Sequence, residues 1–506
     1  MSYTLYPVIP TEPQCNDYEV KINGEVAPTN TARVSAIPFN RRWPGHQRQI
    51  EQTEAVQFLS LSMTGPVSFE ITPSAAFDPK AVKIRPKSLG ITPEIKDGKI
   101  RFTLEKPAYF TVEAYGRSRA LHIFADPETD YGIKPTDGGV LYFGAGEHDV
   151  GLIELRSGQT LYLDEGAVLY ASIHAIDAEN IRILGHGILD NSRNKEEILY
   201  EANAVANDAA INNAKRRHTI QLEYCNNVEI DGITIRDSLV YNVRPVACNG
   251  LEIRNVKIIG CWRFNSDGID MHNCVDVHIS DCFLRTYDDS ICVKGFDCYY
   301  DEDVEQAVHD AMYRGGKSYD VFKNVLVERC VIWNDWGVCL EIGAETRAEE
   351  ITNILFFDCD LIHLTGPVLD ASNVDYADVH GVTFEQIRVE ADEIIPKPML
   401  QRSDAHEYEN EDLSYMPPLF GSRVIYHPEY SAGGTRRGKN RDITYKNIRL
   451  YGDHRPSAAL TGYDAEHRCE NIRIENLYVN DTLVRDICEI DLEIGDFVEN
   501  VRYTTT

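Results

Sequence analysis

The 506-residue sequence contains no apolar run near the roughly 18 residues needed to span a bilayer, so no membrane helix is expected. Positive charge is also scarce. Fifty Lys and Arg stand against 80 Asp and Glu, a formal net charge of −30. Without a basic field to neutralise phosphates, a nucleic-acid or anionic-membrane partner is excluded, and a large polyanionic substrate is disfavoured. The 13 cysteines include no CxxC pair, which removes the zinc-ribbon and thioredoxin-type readings. The opening MSYTLYPVIP lacks a basic-then-apolar leader. With an odd cysteine count, the expected compartment is a reducing cytoplasm, or the exterior if a leader has been removed. What is present is ordinary for a packed chain of more than one domain, with 43% apolar and 26% charged residues.

From about residue 180 the chain repeats a loose unit. NIRILGHGILD, NNVEIDGITIRD, NGLEIRNVKIIG, VDVHISDCFLR, NILFFDCDLIH and NIRIENLYV each hold short alternating strands broken by Asn, Asp or Gly. Leu251, Val277, Val325, Ile354 and Val382 lie 26, 48, 29 and 28 residues apart, and the 48 reads as two coils. A period in the twenties with two or three strands per repeat predicts a right-handed parallel β-helix. A leucine-rich repeat would need an LxxLxL frame, and none is present. Cys261, Cys282, Cys330 and Cys359 fall at inward positions and read as small core hydrophobes.

Residues 1–127 differ, with antiparallel strand and turn signals such as YEVKINGEVAP and KIRFTLEKPAYFTVEAYG. The expected architecture is all-β: an N-terminal β-sandwich over 1–127, then the β-helix over 128–506. Segments near 191–217, 297–320 and 393–440 break the repeat and are expected as insertions that wall a groove.

Within the repeat, NSDGIDMHN and YDDSICVKG place Asp267 and the Asp288–Asp289 pair twenty-one residues apart. If a coil is about that long, Asp267 and Asp288 take equivalent places on coils about 4.8 Å apart, and three carboxylates crowd one face. Such crowding raises at least one pKa, so a protonated acid coexists with ionised neighbours. An inverting glycosidase uses that combination, with carboxyl groups about 6.5–9.5 Å apart. Three other readings stay open: aspartates that cap turns, a Ca²⁺ site as in β-helical polysaccharide lyases with Lys294 or Arg285 as base, and a non-catalytic glycan-binding β-helix.

The same two motifs resemble those of the pectin-lyase-like inverting glycosidases of clan N, which comprises the family 28 polygalacturonases and the family 49 dextranases and isopullulanases. HIFADP (122–127), the 138–172 stretch and VIWNDWGVCLEIGAET (331–346) are closer to family 49. The resemblance implies Asp288 as general acid, with Asp267 and Asp289 holding and deprotonating the attacking water. It also implies that Lys294 contacts sugar hydroxyls or tunes the acid, and that Asn265 orients Asp267. Polygalacturonases follow the pair with Gly-His-Gly and an Arg-x-Lys uronate clamp, whereas this chain reads DWGVCLEIG and GPVLDAS. Family 49 dextranases carry a lysine where this chain has Cys292. A neutral α-glucan or related oligosaccharide is therefore the expected substrate, a pectic oligosaccharide the alternative, with no metal or redox cofactor. Among nearby aromatics, Trp336 and Tyr287 are the expected sugar contacts rather than Trp262, Trp333, Tyr299 or Tyr300. Glu341, Glu345 and His272 are candidates for hydroxyl contacts.

Overall fold

A computed structural model describes residues 2–35, 40–41, 53–193, 218–263, 265–296, 309–397, 399–400, 414–427, 431 and 436–505. The fold is nearly all β, with two N-terminal sheets followed by a right-handed parallel β-helix.

The N-terminal strands form a six-stranded and a five-stranded sheet. Their inner faces alternate large apolar residues, and the two layers meet through Val20, Ile22, Leu61, Phe69, Phe102 and Phe110. Phe69 stacks on Phe102 with centroids 5.1 Å apart, while Phe110 meets both edge-on.

Beyond these sheets, nearly every strand pairs in parallel with the strand three further along, so each coil contributes one strand to each of three long sheets. The recurrent Asn, Asp and Gly explain why. Asn227, Gly250, Asp276, Asn324, Asn353, Gly381, Asp442, Asn471 and Asn500 all have positive φ and recur at one corner, just before Val228, Leu251, Val277, Val325, Ile354, Val382, Ile443, Ile472 and Val501 respectively. Asn and Asp tolerate this left-handed conformation, and their short side chains bond to the corner below. Asn353 Nδ2 donates to Asn324 Oδ1 at 2.8 Å, and Asn324 Nδ2 to Asp276 Oδ1 at 2.7 Å. The corners thus stack as the strands do.

The register corrects one sequence reading. Val277 pairs directly with Val325, so the 48-residue step is a single coil carrying an excursion, not two coils. Part of that excursion, 297–308, lies outside the described residues, as do 194–217 and 401–413 of the other two expected insertions.

The helix core is filled by stacks of like residues. Cys225, Cys248 and Cys274 recur on successive coils, as do Cys282, Cys330 and Cys359, all buried free thiols. Phe356, Phe384 and Tyr445 stack with centroids 4.8 and 5.3 Å apart. The sandwich packs on the helix through an apolar seam that includes Phe58, Phe124, Phe283 and Trp333. Buried ion pairs cross the same seam: Arg236 with Glu12 and Asp190, Lys257 with Asp126, and Arg85 with Glu390 and Asp392. Each charge has a partner, as burial in low dielectric demands.

Candidate active site

The site lies on one long sheet of the helix, where Ile269–His272, Ile291–Lys294, Leu340–Ala344 and Leu369–Asn373 run side by side. Alternation sends Ile269, Met271, Ile291, Val293, Leu340 and Ile342 into the core. Their neighbours Asp270, Cys292, Glu341 and Asp370 form one row on the outer face, and His272 and Lys294 belong to the next.

The register also changes the expected stacking of the aspartates. Ile269 pairs with Ile291, and Gly268 N–H donates to the Asp289 carbonyl at 2.8 Å. The partner of Asp267 on the next coil is therefore Asp289, and Asp288 precedes it. The offset is 22 residues rather than 21, and the three aspartates still converge on one face.

Lys294 organises them. Its Nζ lies 2.8 Å from Asp270 Oδ2, 3.4 Å from Asp289 Oδ2, and 3.6 Å from both Asp267 Oδ2 and Glu345 Oε2. Asp288 is held differently: its Oδ2 accepts from the Asn265 backbone N–H at 3.1 Å. Asn265 has φ +54°, the left-handed turn that aims its amide at this carboxylate. Asn265 thus serves Asp288 rather than Asp267. Asp289 Oδ1 accepts from Val338 N–H at 2.9 Å.

Burial, then the charges of Asp270 and Asp288, pushes Asp267 well above the usual carboxylate range, with Lys294 opposing. Burial likewise raises Asp289 to about 7; Asp288 and Asp270 add to the rise, while Lys294 and the Val338 amide hold it down. Burial disfavours the Lys294 charge, yet Asp270 and Glu345 outweigh it and hold the ammonium well above its ordinary value. Asp267 and Asp289 crowd the same cation, so their two raised carboxyls titrate together rather than independently.

Other expected contacts divide. Trp336 is partly buried and its ring stacks over Tyr287 at 6.0 Å and 19°. Tyr287 itself is fully buried in the core, so it supports Trp336 and offers no face to a ligand. His272 is also fully buried, with Nδ1 2.9 Å from the Gly295 carbonyl and its ring near-parallel to Tyr241. It is not a surface donor. Glu341 is buried one coil beyond Cys292, and burial followed by Asp289 and Asp370 raises its carboxyl well above the usual range. Trp262 and Trp333 are packed, with their Nε1 donated to Asp237 and Asp335. Tyr299 and Tyr300 lie outside the described residues.

Asp270 went unnamed in the sequence, although its signal was there: in IDMH it alternates outward on the face of Lys294. Among the described residues, Asp289, Cys292 and Glu341 place donor atoms within 4.8 Å of one another, the one group there with metal-ligand spacing.

Residues 153–395 match the model of the glycosyl hydrolases family 28. Over its whole length the chain also superposes on Dex49A from Penicillium minioluteum, with a TM-score of 0.58 and 14% identity, covering 99% of this chain and 96% of that one. That family match covers just under half of the chain, and the β-helix is similar to the pectin-lyase-like glycoside hydrolase superfamily. Within that superfamily, the sequence is 27% identical over 149 residues to a probable polygalacturonase of Vitis vinifera, 28% of this chain and 27% of that protein. It is 27% identical over 144 residues to a polygalacturonase of Gossypium barbadense, 28% of this chain and 33% of that protein. The matched segment thus spans a third or less of these curated relatives.

Proposed function

We propose that the protein hydrolyses an O-glycosidic bond with inversion at the anomeric carbon. The observation that carries this reading is the way Lys294 divides the aspartates. Asp267 and Asp289 share its ammonium, which opposes the rise that burial imposes on both carboxyls, and their raised basicity suits them to orient and deprotonate a water. Asp288 hangs instead on the Asn265 backbone amide, outside the reach of that ammonium and one residue from Asp289. It is the general acid that protonates the leaving oxygen. Trp336, backed by Tyr287, supplies a flat face for a sugar ring.

A neutral oligosaccharide of the α-glucan type suits the charge of this site. Lys294 is taken up by four carboxylates, and Arg423 by Asp370 at 2.5 Å, so the cations on this face already serve acidic side chains. The second reading, a pectic oligosaccharide, is favoured by the family 28 match and by the relatives' names as polygalacturonases.

The test is a panel of α-linked gluco-oligosaccharides and oligogalacturonides, followed by NMR of the newly formed anomer. Inverted product from a glucan supports the first substrate, and from a galacturonide the second. Retained configuration, or an unsaturated product absorbing in the ultraviolet, rules out inverting hydrolysis.

A further inference from the structure

The geometry points to Arg117 of the N-terminal sandwich as a positioning residue for the catalytic aspartates, acting through Asn334 and Asp335. The word catalytic rests on the hydrolase reading above; the mechanical coupling does not.

The Asp288–Asp289 turn is held from the next coil by the segment 334–338. Asn334 Nδ2 donates to the Asp288 carbonyl at 2.8 Å, and Thr286 Oγ1 donates to the same oxygen at 2.7 Å. Asp335 N–H meets the Thr286 carbonyl at 3.0 Å, and Val338 N–H holds Asp289 Oδ1. Between them, Gly337 lies so close that a Cβ there would stand 2.5 Å from both the backbone nitrogen and Oδ1 of Asp289. Wherever 334–338 goes, the aspartate pair must follow.

That segment is in turn gripped from outside the helix. Arg117 leaves the connection between Ala108–Glu113 and Leu121–Pro127, and its Nη2 lies 2.9 Å from both the Asn334 carbonyl and Asp335 Oδ1. Its side chain is only 7% exposed. Asp335 is fully buried and also receives Trp333 Nε1 at 2.8 Å, with Arg285 Nε at 3.5 Å. A planar guanidinium can hold a carbonyl and a carboxylate at once, and a lysine ammonium lacks that fixed fork. The other seam cations behave differently: Arg236 ties Glu12 to Asp190, neither of which touches the aspartates.

The experiment compares the full-length wild type with Arg117→Met, Arg117→Lys and Arg236→Met. Hydrogen exchange of the 334–338 amides is the first readout, and the pH profile of kcat/KM the second. In R117M, exchange at 334–338 should quicken by about tenfold or more. Its kcat should fall about tenfold to a hundredfold at nearly constant KM. Loss of the Val338 hydrogen bond should also move the acidic limb to higher pH, because that bond favours the charged form of Asp289. R117K should shift the same readouts in the same direction by less, and it serves if R117M does not fold. R236M should lower Tm while leaving exchange at 334–338 and the limb in place. Wild-type exchange at 334–338 in both Arg117 variants, or an equal change there in R236M, overturns the proposal. If the wild type cleaves no glycoside, the hydrolase reading fails, and the exchange comparison still decides the coupling.

Discussion

Asp267 and Asp289 stand at the same register position on adjacent coils, and a single ammonium, Lys294 Nζ, lies within 4 Å of both carboxylates. The separation of the two acids is therefore set by the backbone ladder, and their charge by one side chain.

Replacing Asp288 by Asn keeps an oxygen for the Asn265 amide but removes the proton donor. The variant should retain its Tm and lose about two to four orders of magnitude in kcat, measured by reducing-end release.

Asp289 gives a prediction of opposite sign for stability. Its folded pKa, about 7, lies above that of an unfolded aspartate, so the folded state binds more protons between roughly pH 4 and 7. Its contribution is fully present below the unfolded pKa and is lost as pH rises through about 7. Asp289→Asn should therefore be inactive yet raise Tm at pH 8 by about a degree or two, with no gain at pH 4, in thermal melts across pH.

Lys294→Met should do the reverse. It strands four carboxylates without their cation and should cost about 3–5 kcal/mol in urea unfolding at pH 7. The loss should shrink towards pH 4, where the raised Asp267 and Asp289 carboxyls are protonated and no longer need the cation. Equal destabilisation at both pH values would mean that packing, not charge, is Lys294's main contribution.

Gly337→Ala tests steric closeness to the acids. The added methyl meets the nitrogen and Oδ1 of Asp289, and a displacement near 1 Å should lower kcat about a hundredfold. KM should change little, because Trp336 keeps its support on Tyr287.

Trp336→Ala should act on binding instead. KM for the productive oligosaccharide should rise by about tenfold, as expected for loss of an aromatic contact worth roughly 0.5–1.5 kcal/mol beyond its buried area. Unchanged KM would remove Trp336 from the sugar-binding surface.

Local pattern carried much of this. Asn, Asp and Gly at the corners and apolar residues between them made the helix legible, because corner conformation and strand alternation are properties of a few adjacent residues. The same locality exposed Asp267, Asp288, Asp289 and Lys294. Long-range facts were not legible. Tyr287 and His272 sit beside the motif in sequence, but burial is decided by Trp336, Tyr241 and their surroundings. The pairing of Asp267 with Asp289 rather than Asp288 depends on a one-residue register that repeat lengths do not fix. Arg117 and Asp335 are 218 residues apart, and no periodicity links them.

The 48-residue coil between Val277 and Val325 carries a long excursion without altering the pairing on either side. Corners of this helix accordingly behave as sockets: segments can be exchanged there while the spacing between rungs, and with it the distance between acid and base, stays constant. Under the proposed hydrolase function, a lineage built on this scaffold can change which glycan it admits without rebuilding the step that breaks the bond.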